Sequence, residues 1–350
     1  MNRVLLDYPH RRAGHCGSGA LRDLFEWAGL GWAGPPEEGL VFALGGALGF
    51  TYLRSPGLSP PIYLVGRGAD LEVDTLRRIG AGVDMRQSDD PVLGWRWVVD
   101  ELGAGRPVMV WADIGRLPYL RVRLRMSRHD IVVIGYDDHA HTAFVADNDR
   151  DDIQEVPYEA LAQARASTAF PVPTRHTTFA VNWPSKLPDL GFTAADAFAA
   201  SARSMRSGSA ELIPAAALPA GAVGGSGLEG IKVFADDVAV WPEVFDEQTL
   251  EAALRALPVF IEKAGTGGGL FRKLQARGCE KVSQLLGQPK LVAAKVAVHM
   301  CALAWRAVAR EAAADAPLHV RAAGAARAAA KLPALEQIAA ASLDSAANTL

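Results

Sequence analysis

Three cysteines in 350 residues, Cys16, Cys279 and Cys301, are odd in number and far apart, so no disulfide framework is implied and a reducing cytoplasm fits. The basic surplus of a general nucleic-acid binder is missing, since the net charge is -3. No run of about 18 apolar residues suggests a membrane span, and the apolar stretch within Met1–Pro9 is too short for a signal peptide. There is no fixed-period repeat and no heptad array long enough for a coiled coil. What remains is a chain that is 50% hydrophobic and long enough for two domains, each with its own core.

Within that chain, Gly14-His15-Cys16-Gly17-Ser18-Gly19 leads directly into the apolar series Leu21, Phe25, Trp27, Leu30. A thiol in the first turn of a helix meets unpaired backbone N–H groups and the positive end of the helix dipole, which favour the nucleophilic thiolate. The competing reading of Cys16 is a small buried hydrophobe. Further along, Glu37–Leu44 and Asp70–Ile79 are predicted helices, Phe50–Leu53 and Ile62–Val65 predicted strands, and Asp90-Pro91 caps another helix that stops at Gly103-Ala104-Gly105.

Pro107–Ala112 is a continuous apolar run too short for a helix and is expected as a buried strand. Arg121, Arg123 and Arg125 then alternate with Val122, Leu124 and Met126, which on a strand places the three arginines on one face. That face is either a solvated edge or a strip for phosphate or carboxylate groups. His129–Tyr136 follows as a core strand, Asp137–His141 as a polar hairpin tip with Asp137 and Asp138 as turn formers, and Thr142–Asp147 as the returning strand. Antiparallel pairing brings His129 and Asp147 to the same end of the hairpin. There a carboxylate orients one imidazole nitrogen and leaves the other for Cys16, the arrangement of nucleophile, base and orienting group. His139-Ala140-His141 lacks further partners in ligand spacing, so no metal is expected.

The first domain is expected to end after the strand Thr177–Trp183, giving boundaries of 1–185, a linker of 186–227 containing one helix from near Thr193, and an α-helical domain of 228–350. Helices are expected over Leu228–Trp241, Glu247–Leu257, Leu270–Leu286, Pro289–Ala313 and from about Pro317. Gly265-Thr266-Gly267-Gly268-Gly269 looks like a phosphate-cradling loop but lacks the Lys-Ser/Thr of a P-loop and a preceding strand. It reads as a helix–helix turn. In the alternative its amides, with Arg272, hold a phosphate or an acidic substrate, and Glu262 pairs with Arg272 or faces the pocket. His299 is expected as a core histidine.

The order of Cys16, His129–Asp138 and Val145-Ala146-Asp147 resembles papain-like cysteine peptidases, especially bacterial double-glycine leader peptidases. A closer resemblance is to the butirosin-biosynthesis acyltransferase family. It is carried by His15-Cys16, Leu44–Phe50, Leu117-Pro118-Tyr119, His129–Asp138, Ala164-Arg165-Ala166-Ser167 and, in the helical half, Ile261–Arg272. The resemblance implies an α+β fold, a papain-like N-terminal domain with an α-helical C-terminal companion. It also implies transfer of an acyl group from a carrier-protein or pantetheine thioester, through a Cys16 acyl-enzyme, to a small-molecule amine in specialised metabolite biosynthesis.

In that reading Cys16, His129 and Asp147 are catalytic, and Tyr119, Arg121, Arg123, Arg125, Glu262 and Arg272 are substrate-binding candidates. No cofactor is needed beyond the phosphopantetheine of the donor. The arginine strip suits an acidic acyl carrier protein. Papain-like enzymes carry a glutamine six residues before the cysteine, where this chain has His10. The Cys16 N–H can still donate, and His10, Arg11, Arg12 and His15 are open as the second oxyanion donor, with His10 and His15 the candidates taken forward. A peptidase or amidase, and a non-catalytic binding module, are the alternative functions.

Overall fold

A computed structural model describes residues 3–68, 70–122, 126–208 and 221–350. The chain packs as two units, Met1–Glu37 with Ile79–Leu187, and Glu38–Arg78 with Pro188–Leu350.

Among the described residues the first unit holds a seven-stranded antiparallel sheet. Its strands are β1 (Arg3–Leu5), β4 (Gly82–Arg86), β5 (Val108–Ala112), β6 (His129–Asp137), β7 (Thr142–Ala146), β8 (Gln154–Pro157) and β9 (Thr178–Asn182). The order is β4-β9-β5-β6-β7-β8, with β1 pairing the far part of β6. The apolar run expected as a strand is β5, buried at every position and flanked by β6 and β9. Val108, Val110 and Ala112 alternate onto one core with Ile131, Val133, Ala143 and Val145. Two helices pack on that core, α4 (Pro91–Gly103), capped by Asp90, and α5 (Tyr158–Arg165). The helix that begins with the first cysteine, α1 (Cys16–Trp27), packs against β6.

The second unit combines a three-stranded antiparallel sheet, β10 (Val223–Ser226), β2 (Leu48–Arg54) and β3 (Ile62–Arg67), with helices. These are α2 (Glu38–Leu44), α3 (Leu71–Arg78), α6 (Leu190–Ser207), α7 (Gly227–Val244), α8 (Glu247–Pro258), α9 (Arg272–Leu286), α10 (Val292–Ala312), α11 (Leu318–Ala329) and α12 (Leu332–Ala347). Phe50, Phe234 and Trp305 form a buried aromatic cluster, with Phe50 stacked on Trp305 and edge-on to Phe234. Asp237 on α7 accepts from Tyr52 (2.5 Å), from Arg54 through two nitrogens (2.8 and 2.9 Å) and from Trp241 (3.0 Å), tying β2 to the helices.

Several expectations are revised. Residues 38–78 belong to the second unit although they lie within the expected first domain. Their strand β2 pairs with β10, and α2 lies so close to α9 that a Cβ on Gly278 would stand 2.3 Å from Gly39 O. Of the expected linker, α6 is the predicted helix, residues 209–220 lie outside the described residues, and the end forms β10. The single helix expected from Pro317 is two, broken between Ala329 and Leu332. By length and composition Pro289–Ala312 is apolar enough to cross a membrane, which the sequence reading did not anticipate; it packs against α8, α9, α11 and α12.

Candidate active site

Cys16 is the first residue of α1, and His15 is its N-cap. The Ser18 N–H donates to His15 Nδ1 (3.2 Å), and Ser18 Oγ lies 3.0 Å from the same nitrogen. With Nδ1 accepting, the proton of a neutral His15 ring lies on Nε2. The segment before the helix is held from three sides. The Ala13 N–H donates to Asn148 O (3.0 Å), Arg22 donates to the carbonyls of Arg11 (2.5 Å) and Arg12 (3.0 Å), and Asp23 accepts from the Arg11 N–H (3.2 Å). Gly19 allows this approach, since a Cβ there would stand 2.5 Å from Ala13 Cβ and 3.1 Å from Asn148 Cβ.

The hairpin supplies the rest. Val132 is opposite Ala146, so continuing the register sets Asp147 opposite Ile131, on the same sheet face as His129 and two residues away. His129 Nε2 bonds Asp147 Oδ2 at 2.8 Å, and the Tyr119 hydroxyl donates to the same oxygen at 2.7 Å. The Asp149 N–H donates to Asp147 Oδ1 (3.0 Å). The other His129 nitrogen is left for Cys16, with which the ring shares a hydrogen bond.

Burial opposes every charge in this cluster, and its members offset that penalty together. Burial pulls His129 down, but the Asp147 carboxylate and the thiolate of Cys16 hold it well above the ordinary imidazole range. Burial pushes the thiol up, yet His15 and hydrogen bonds from His129 and His15 hold Cys16 well below an ordinary thiol. Asp147 is held at about 2 against its burial, chiefly by His129. Cys279 and Cys301 differ: both are buried, and burial pushes Cys279 up to about 12 and Cys301 higher still. Of the three cysteines, only Cys16 is lowered, and it lies beside His129, which is raised.

The other candidates scatter. His10 has both ring nitrogens engaged, Nε2 with Arg150 O (2.9 Å) and Nδ1 facing Asp23 (3.5 Å), which removes it as an oxyanion donor. Tyr119 acts on Asp147 rather than standing clear as a substrate contact. Arg121 is exposed and outside any strand, its backbone left-handed (φ 54°), so the expected arginine-bearing strand does not form there; Arg123 and Arg125 lie outside the described residues. In the second unit, Arg272 is fully buried, paired with Glu336 (2.7 Å) and donating to the carbonyls of Gly66 (3.1 Å) and Leu270 (2.8 Å). It is therefore not a substrate contact.

Nor is the glycine-rich loop an anion cradle. The amides of Gly268 through Lys273 are all bonded within it, and Glu262 itself fills the anion position by accepting from the Gly269 N–H (3.0 Å). Glu262 pairs with Arg306 (3.7 Å), not with Arg272. The predicted core residue His299 is exposed on α10. Sequence reasoning missed Asn148 and Arg150, which follow Asp147 directly and brace the cysteine segment and Tyr119; Arg150 donates to Tyr119 O at 2.7 Å. Their adjacency to Asp147 was the available signal.

Comparison with known families divides the chain at the same hairpin. The N-terminal domain of Butirosin biosynthesis protein H matches residues 15–148, a span that begins at His15 and ends just past Asp147. A second family, Domain of unknown function (DUF4872), matches residues 159–343. The chain belongs to this family, with a butirosin biosynthesis protein H-type domain ahead of it. No curated protein matches the chain.

Proposed function

We propose that the protein is a cysteine-dependent acyltransferase with a papain-like first domain. It takes an acyl group from a carrier-protein or pantetheine thioester and delivers it to a small-molecule amine, forming an amide in specialised metabolite biosynthesis. The observation that carries this reading is the Cys16, His129 and Asp147 cluster, a thiolate at a helix N-terminus facing an imidazolium that a buried carboxylate orients. The match to the N-terminal domain of a butirosin biosynthesis protein supports it from a second side.

In the first half-reaction Cys16 Sγ attacks the thioester carbonyl, and the tetrahedral intermediate collapses by breaking the donor C–S bond. The departing thiolate takes the proton of the His129 imidazolium. In the second half-reaction the neutral His129 accepts a proton from the attacking amine, the new C–N bond forms, and the bond to Sγ breaks to restore the thiolate. The oxyanion is met by the Cys16 N–H, a first-turn amide without an intrahelical acceptor, and by His15 beside it. Exchange between two thiols is nearly balanced, so excluding water from the acyl-enzyme is the demanding requirement. A peptidase would have to cleave the less reactive amide with the same donors.

Intact-protein mass spectrometry after mixing with a panel of acyl-pantetheine thioesters tests this. The expected result is an acyl adduct that is missing from Cys16→Ala and is discharged faster by an added amine than by buffer. If no thioester gives an adduct while the protein hydrolyses peptides, the peptidase reading takes its place.

A further inference from the structure

On the first unit, beside α4 and α5, lies a cavity of about 280 Å³ that shares no residue with the Cys16 cluster. Val92, Trp95, Tyr158 and Leu161 give it an apolar and aromatic lining, and Arg165 and His176 are its basic members. Its volume is at the lower end of small-ligand pockets.

Arg165 is 1% exposed, yet among the described residues no carboxylate pairs with it. Its terminal nitrogens donate to Gly94 O (3.3 Å), His176 O (2.9 Å) and Thr178 Oγ1 (2.7 Å), while the buried Nε has no partner. Burial lowers its pKa only to about 9, so the guanidinium keeps its charge at neutral pH. A buried cation without an anion is unfavourable, and carbonyl dipoles offset only part of the penalty.

His176 repeats the pattern. Its Nε2 is buried and without a partner, and burial, with the neighbouring Arg165 charge, lowers the ring to about 4, leaving it neutral. The backbone is bent to place it there: Arg175 and His176 are both left-handed (φ 44° and 47°), an uncommon conformation for residues other than glycine. Gly94 completes the fit, since a Cβ at that position would stand 2.5 Å from His176 Cβ and 2.8 Å from its ring.

We propose that this cavity binds a small organic carboxylate with an apolar body. The carboxylate accepts from Arg165 Nε and His176 Nε2 and supplies the missing counter-charge, while the body rests on Trp95, Val92 and Leu161. The apolar lining disfavours a hydrated inorganic anion, which would lose its water without replacement. Neither nitrogen is wetted, so entry requires a lining side chain to turn aside, and Val92 in that lining is 67% exposed.

The test is calorimetric titration of the full-length protein with phenylacetate, benzoate and isovalerate, with phenylacetamide as the uncharged control and chloride as the inorganic one. At least one carboxylate is expected to bind saturably and raise the melting temperature, with phenylacetamide weaker by about tenfold or more. Ala162→Trp, at an exposed position on the cavity wall, puts an indole into the cavity while leaving the Arg165 and His176 side chains themselves unchanged, and is expected to remove binding. Cys16→Ala is expected to bind as the native protein does, which keeps the result independent of the proposed acyl transfer. Failure of all three carboxylates, equal affinity for the amide, or binding that survives Ala162→Trp would overturn the proposal.

Discussion

Asp147 Oδ2 stands 2.8 Å from His129 Nε2, across two strands whose register alone sets the pair at one end of the hairpin. The carboxylate is fully buried and accepts from Tyr119 and from the Asp149 N–H as well, so its charge is held in place before any substrate arrives. That charge is the main influence raising His129, and His129 together with His15 lowers Cys16.

Alkylation of Cys16 by iodoacetamide is therefore expected to depend less steeply on pH below 8 than that of an ordinary thiol, because His15 and His129 lower its pKa against burial. An ordinary thiol loses about tenfold per pH unit over that range. Asp147→Asn removes the charge that holds His129 protonated, and the alkylation rate at pH 6 is expected to drop by about tenfold or more while the far-ultraviolet spectrum is unchanged. A rate that rises steeply through pH 8 in the native protein would contradict the lowered Cys16 thiol.

Stability should titrate with the same groups. Asp147 is held at about 2, below its ordinary value of about 3.9, so its contribution is present above the ordinary value and is lost as pH falls toward 2. His129 is shifted up, so its contribution is complete below about 6.5 and is lost as pH rises through the raised value. The urea midpoint is expected to fall toward acid, while on the alkaline side the gain from the lowered Cys16 opposes the loss from His129. Asp147→Asn should flatten the acid limb. Tyr119→Phe should do so partially, because it removes one of several donors to the carboxylate.

In the second unit the Arg272 and Glu336 pair is wholly buried, and Trp305 also donates to Glu336 Oε1 (2.6 Å). Removing one partner strands the other charge, so Arg272→Met or Glu336→Met alone is expected to cost about 3–5 kcal/mol by urea unfolding. The double replacement should cost markedly less than the sum of the two. Additive losses would show that the residues act separately.

The hairpin pair was legible because its partners are close in sequence: a strand, a polar tip and a returning strand fix a register, and register fixes which ends meet. The thiol at a helix start was legible for the same reason. What was not legible depends on partners far along the chain. Arg272 reads as an available cation until Glu336, 64 residues on, neutralises it. Residues 38–78 read as first-domain structure because the strand that pairs with β2 is Val223–Ser226, two of whose four residues are glycine, and it carries almost no strand signal. Of the alternating arginines only Arg121 lies among the described residues, and its left-handed backbone (φ 54°) is a local feature that a period-two pattern does not encode.

The glycine-rich loop separates two effects that share one conformation. Gly265 and Gly269 are both left-handed (φ 64° and 57°), but a Cβ on Gly265 meets nothing within 4 Å, whereas on Gly269 it would stand 2.7 Å from Ala302 Cα on α10. Gly265→Ala is expected to cost about 1–2 kcal/mol, the backbone strain alone. Gly269→Ala adds a collision with a buried helix backbone that no rotamer relieves, and it displaces the N–H that Glu262 accepts. Its loss should exceed that of Gly265→Ala by about 2 kcal/mol or more in urea unfolding. Equal losses would mean the loop and α10 do not approach as closely as these contacts require.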